Sequence, residues 1–209
     1  MRKSIRKGLV ASAVVAAGIG LTATPAMADA TWSVTGANAN GSATATSGNT
    51  ELKVLRSGAV LRCVTSTATA TINNVTGHSG LGIGKISNTA WTTCSGPLGL
   101  TFTVTHQGVW DLNAVATTAD PAVNTGSITN IKADIAGSGC TATFEGGVPG
   151  HYDNNLAVLT LDPTDPNPHN VQLKATAANN CLGLIQANDV VEFKGDFDVD
   201  PLSIALTSP

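Results

Sequence analysis

The sequence is poor in charged residues, aromatic rings and strong helix formers. Only 12% of its 209 residues are charged and 4% are aromatic. Glu, Lys, Arg and Met are scarce, whereas Thr, Val, Gly and Asn, which favour strands and turns, are abundant. No window shows an apolar stripe with the helical period of 3.6 residues. These absences argue against a helical protein and favour an all-β one.

The sequence motifs of common enzyme classes are also missing. The chain has no G-x-S-x-G turn for a nucleophilic serine, no closely spaced cysteine pair for a metal or redox centre, and no nucleotide-binding loop. Its histidines lack the strand–turn–helix context of a hydrolase; they are His78, His106, His151 and His169. We therefore expect no catalytic residue, no metal site and no cofactor.

Carboxylates alternate with apolar residues in the run 196–200. Alternating oxygens resemble the start of a calcium loop, but Pro201 stands where that loop needs a glycine and Thr207 where it needs a glutamate. We expect instead a strand whose aspartates face water.

The first 28 residues have the pattern of a signal peptide. A basic start is followed by an apolar run from 8 to 21, too short to span a bilayer comfortably, and then by Ala26-Met27-Ala28. Cleavage after Ala28 would leave 7 basic and 14 acidic residues, a formal charge of −7. This charge argues against nucleic acid and anionic membranes as partners. No later run predicts a transmembrane segment, so we expect a secreted or envelope protein.

Four cysteines follow the predicted cleavage site: Cys63, Cys94, Cys140 and Cys181. An even number in an exported chain predicts two disulfides. Three connectivities are possible. We favour Cys63–Cys94 and Cys140–Cys181, because each bond then closes inside one half of an internal duplication.

The duplication is indicated by repeated landmarks. Trp32 and Trp110 are 78 residues apart, and Cys63 and Cys140 are 77 apart. We predict a first β repeat over 29–108 and a second over 109–209, packed as one compact unit. The two tryptophans are then matching core anchors.

Alternation with a period of two predicts the strands. The ranges 52–56, 59–63, 67–72, 100–105 and 190–199 have this pattern, and the Gly-rich range 80–86 predicts a bulged strand. Trp91 and Tyr152 lie near turns, where they can be exposed. The predicted fold is an all-β sandwich or closed barrel-like unit built from two homologous halves, each with one disulfide.

Several stretches resemble a family of exported, cysteine-containing actinomycete proteins, similar to those of Streptomyces. They begin at Trp110 (WDLNAV), Thr125 (TGSITNIKADIAGSGC), Cys181 (CLGLI) and Phe193 (FKG), with the closing Thr-Ser-Pro of the chain. The resemblance covers most of the mature chain. It implies export and β architecture, and it brings no catalytic residue with it.

The sequence predicts a non-enzymatic surface or interaction protein of the cell envelope or extracellular space, with an unknown partner. A carbohydrate- or ligand-binding module, a hydrolase and a pore are alternatives. The Pro- and Asp-rich segment 161–170 lengthens the second half, so we expect it to form an interaction loop. Its candidate contact residues are Asp162, Asp165, Asn167 and His169.

Overall fold

The computed structural model describes residues 31–137, 139–167 and 169–208. The predicted signal peptide, residues 1–28, and its cleavage site lie outside these ranges. Within them the chain forms fourteen strands and one 3₁₀ turn (Pro97–Gly99), without an α-helix. The strands are β1 (Trp32–Thr35), β2 (Ser42–Ser47), β3 (Thr50–Val54), β4 (Val60–Ile72), β5 (Val75–His78), β6 (Gly84–Ser95), β7 (Thr101–His106), β8 (Trp110–Thr117), β9 (Val123–Gly137), β10 (Cys140–Asp153), β11 (Val158–Leu161), β12 (Leu173–Asn179), β13 (Val190–Asp200) and β14 (Ala205–Thr207).

The main sheet closes on itself. Its long strands are β4, β6, β9, β10 and β13. Pairs of short strands fill the gaps between them: β2 and β3 between β13 and β4, β7 and β8 between β6 and β9, and β11 and β12 between β10 and β13. Because β9 also pairs with β10 and β4 with β6, the hydrogen-bonded path returns to its start. The all-β prediction is confirmed.

The alternation of Thr and Ala in β2 and β4 explains their pairing. Ala43 lies opposite Ala70 and Ala45 opposite Ala68, while the threonines between them are exposed. A strand has a side-chain period of two, so each strand presents methyl groups to the interior and hydroxyls to water.

A small sheet in the order β14-β1-β5 covers one end of the closed sheet, which we call the capped end. Trp32 in β1 and Ile204 before β14 are almost completely buried. Gly80 allows this close packing, because a Cβ atom there would lie 2.4 Å from the Ala114 carbonyl oxygen and 2.7 Å from the Trp32 ring. Its φ of +89° also favours glycine.

Both disulfides lie at the opposite end of the sheet. Cys63 is bonded to Cys94, its partner across β4 and β6, and Cys140 is bonded to Cys181. Two disulfides were expected, and these are the favoured pairs. Two such bonds are consistent with an extracellular location. We call the loops 55–59, 95–100 and 180–189 the disulfide end.

The proposed duplication stays a prediction. Trp32 and Trp110 are both buried, but Trp32 lies in the cap sheet and Trp110 in the closed sheet. Strands from 29–108 and 109–209 are paired with each other in one sheet, for example β13 with β2 and β13 with β3.

Some local predictions were wrong. Only 84–86 of the expected strand 80–86 belongs to a strand, because the glycines before it form a turn. The ranges 60–63 and 67–72 belong to one strand, β4, and Ala59 lies just before it. Tyr152 is buried rather than exposed, because it lies inside β10 and faces the interior.

Candidate functional site

The predicted interaction loop is fastened to the body of the protein. The Thr164 N–H donates to Asp162 Oδ1 at 2.8 Å, and Lys194 Nζ lies 3.4 Å from Asp162 Oδ2. The Thr164 backbone N–H and the Lys194 ammonium hold the pKa of the Asp162 carboxyl below its ordinary value, against a smaller effect of burial. Asp165 Oδ2 lies 2.8 Å from His151 Nδ1 in β10.

Asn167 fixes the end of the same loop. Its Nδ2 donates to the Val171 carbonyl at 2.7 Å, and its Oδ1 accepts from the Val171 N–H at 2.8 Å. His169 is exposed. Three of the four candidate contact residues thus use their side chains within the chain, and they give the loop its shape.

The histidines that the structure describes lie in separate places. His78 in β5 accepts the Gly80 N–H, and the ring of His106 in β7 stacks on Trp110 with centroids 4.4 Å apart. His151 contacts the loop of Asp165. Among the described residues, no group of three or more His, Cys, Asp or Glu side chains is placed to hold a metal ion.

The disulfide end carries two matching apolar turns. Each has the sequence Leu-Gly-Leu, at 98–100 and at 182–184. Leu98 and Leu182 adopt left-handed backbone conformations, with φ of +62° and +53°, and their exposed fractions are 91% and 80%. The left-handed region is costly for a leucine, and exposing its side chain gains nothing from burial.

A shallow apolar groove lies between the two turns. Its volume is about 50 Å³, and Pro97 and Leu100 line it from one turn and Leu182 and Leu184 from the other. Phe102 and Ile185 are among the other side chains that line it. Leu182 thus lines the groove, and Leu98 lies beside it in the turn between Pro97 and Leu100, so the two turns and the groove form one apolar surface.

Arg56 holds the second turn in place. Its guanidinium donates to Asp189 Oδ1 at 2.6 Å, to Asp189 Oδ2 at 2.9 Å and to the Gly183 carbonyl at 2.8 Å. Ser57 Oγ donates to the Leu184 carbonyl at 2.6 Å. The Arg56 hydrogen bonds, aided by the Gln186 N–H, lower the pKa of the Asp189 carboxyl, although burial opposes the shift. The turn is thus fixed before any partner arrives.

Charge is distributed unequally between the two ends. The strands and loops toward the disulfide end carry six basic and six acidic residues; these are Lys53, Arg56, Arg62, Lys132, Lys174 and Lys194, with Glu51, Asp134, Glu145, Asp162, Asp189 and Glu192. The capped end carries one lysine and seven aspartates; these are Lys85, with Asp111, Asp120, Asp153, Asp165, Asp196, Asp198 and Asp200. The apolar surface therefore belongs to the neutral end.

Sequence reasoning did not identify this surface. The repeated Leu-Gly-Leu tripeptide was visible, but a leucine beside a glycine gives no sign of an exposed, left-handed backbone. No helix in the described part of the chain is long and apolar enough to cross a bilayer. No family model, curated protein or solved structure matches the chain.

Proposed function

We propose that this chain is an exported, non-enzymatic β-protein that attaches to a protein partner in the cell envelope or extracellular space through its disulfide end. The observation that carries the proposal is the pair of exposed leucines at left-handed positions. Glycine or asparagine would adopt that backbone more easily. Leucine at both turns is explained if its side chain is buried in a complex.

The shape and charge of the disulfide end favour a protein over a lipid surface. The groove between the turns accepts a protruding side chain, and rigid turns lose little conformational entropy on binding. Because the basic and acidic residues at this end balance, the partner surface should be apolar and uncharged. The acidic capped end would face away from it.

The test replaces both exposed leucines with asparagine. The double variant Leu98→Asn/Leu182→Asn should fold at least as stably as the wild type, because asparagine tolerates left-handed φ. Burial of two leucine side chains is worth about 3 kcal/mol, so binding to an envelope fraction should weaken about 100-fold. Leu202→Asn, at an exposed leucine of the capped end, is the matched control.

Unchanged binding of the double variant would contradict the assignment of the surface. Equal binding to vesicles of extracted envelope lipids would contradict a protein partner. Turnover of an ester, peptide or glycoside by the purified protein, absent from a mock preparation, would contradict the non-enzymatic function.

A further inference from the structure

We propose that the interior of the closed sheet binds one small, uncharged hydrocarbon ring. A cavity of about 130 Å³ lies inside the sheet toward the capped end. It is distinct from the surface groove of the disulfide end, and the proposal does not depend on the function proposed above.

The cavity exists because the strands around it present small side chains. Ala43 and Ala45 from β2, Ala68 and Ala70 from β4, and Ala114 from β8 all line it. Larger apolar residues in these positions would fill a closed sheet of this size. The Thr/Ala alternation of the sequence therefore leaves unfilled space in this half of the interior.

Aromatic and aliphatic side chains form the rest of the wall. Trp91, Trp110 and Phe193 line the cavity and also a second one, of about 80 Å³, toward the disulfide end. The rings of Trp91 and Trp110 are tilted by 39°, with centroids 6.2 Å apart. The faces and edges of the two tryptophan rings favour contact with a flat ring, since aromatic pairs prefer tilted or offset arrangements.

The polar groups near the cavity already have partners. The Tyr152 hydroxyl donates to the Ile204 carbonyl at 2.9 Å, and Asn113 Nδ2 donates to Thr129 Oγ1 at 2.9 Å. Every buried side-chain nitrogen and oxygen that the structure describes has a hydrogen-bond partner. A sugar or a carboxylate would lose more water hydrogen bonds than this mostly apolar wall can replace. The wall therefore selects against polar ligands.

The volume sets the size of the ligand. An engineered apolar cavity of about 150 Å³ in another protein stays dry and binds benzene. The cavity here is of similar size, so a single six-membered ring with at most one small substituent fits. A fused or longer ligand would need Trp91 or Phe193 to move into a different rotamer.

Entry is easiest beneath β14. Ile204 and Leu206 line the cavity, and β14 is a three-residue strand paired with β1. A short terminal strand opens at a lower free energy than the long central strands. Transient opening of β14 would expose the cavity while the closed sheet stays intact.

Toluene and phenol provide the test, because they have similar shapes and differ in a hydroxyl group. We expect saturable toluene binding by calorimetry and a rise in melting temperature. Phenol should bind at least tenfold more weakly, because its hydroxyl would lack a partner. Ala68→Leu fills the cavity and should weaken toluene binding at least tenfold, whereas Ala177→Leu, at an exposed position of β12, should leave it unchanged.

Three outcomes would overturn the proposal: no saturable toluene binding by the wild type, equal affinities for toluene and phenol, or equal affinities in the two variants. Ala45→Val adds only two carbons to the same wall. It is used if Ala68→Leu does not fold. It should also weaken toluene binding, and an affinity equal to that of Ala177→Leu would again contradict the proposal.

Discussion

The ionisation of the Tyr152 phenol should show whether the capped end is folded, because its pKa differs between the native and the unfolded protein. Burial, with a smaller contribution from the Asp153 charge, raises the pKa of Tyr152 from 10.0 to about 12. It is the only tyrosine in the chain, so phenolate absorbance reports this residue alone. In native protein the absorbance should rise near pH 12, and in urea near pH 10.

The same shift predicts a loss of stability in alkali. The raised pKa means that the native state holds the phenol proton after the unfolded state has released it. Stability is therefore complete below pH 10 and falls as the pH rises toward about 12. A pKa shift of about two units corresponds to about 3 kcal/mol of unfolding free energy.

Tyr152→Phe separates this effect from the titration of lysines. At neutral pH the variant should be less stable by about 1–2 kcal/mol, because the Ile204 carbonyl loses its buried hydrogen bond. Between pH 10 and 12 its urea midpoint should fall less steeply than that of the wild type. If the native phenol titrates near pH 10, or if both proteins lose stability equally, the reasoning is refuted.

Three further changes should act on the fold. Gly80→Ala should lower the unfolding free energy by about 2 kcal/mol or more, measured in urea, because its Cβ would meet the Ala114 carbonyl oxygen; an unchanged midpoint would contradict the close approach. Replacing Cys63 and Cys94 by serine should cost roughly 3–4 kcal/mol, since the bond closes a loop of 31 residues; a loss below about 1 kcal/mol would contradict the loop-closure argument. The lowered pKa of Asp189 stabilises the fold above about pH 4, and that contribution is lost as the pH falls through the folded pKa. Asp189→Asn should therefore flatten the acid limb of a stability–pH profile, and an unchanged limb would contradict this assignment.

Short-range patterns predicted the strands well where alternation was regular. The ranges 100–105 and 190–199 correspond closely to β7 and β13. The aspartates of the run 196–200 face water while Phe197 and Val199 are buried, because a strand has a side-chain period of two.

Long-range features lay beyond the sequence. Closure of the sheet depends on pairings between distant segments, such as β13 with β2 and β13 with β3, which no local pattern specifies. The cavity depends on which alanines face one another across the interior. The left-handed backbone of Leu98 and Leu182 is set by how each turn joins its strands, and side-chain type alone gave no signal for it.

The pairing of β1 with β14 sets the order in which the protein can fold. These strands lie at opposite ends of the described chain, so β1 lacks its partner on one side until residues 205–207 are available. Contacts between residues distant in sequence slow folding. The cap sheet is therefore the part of the fold that forms late, because it joins two segments that are about 170 residues apart in the described chain.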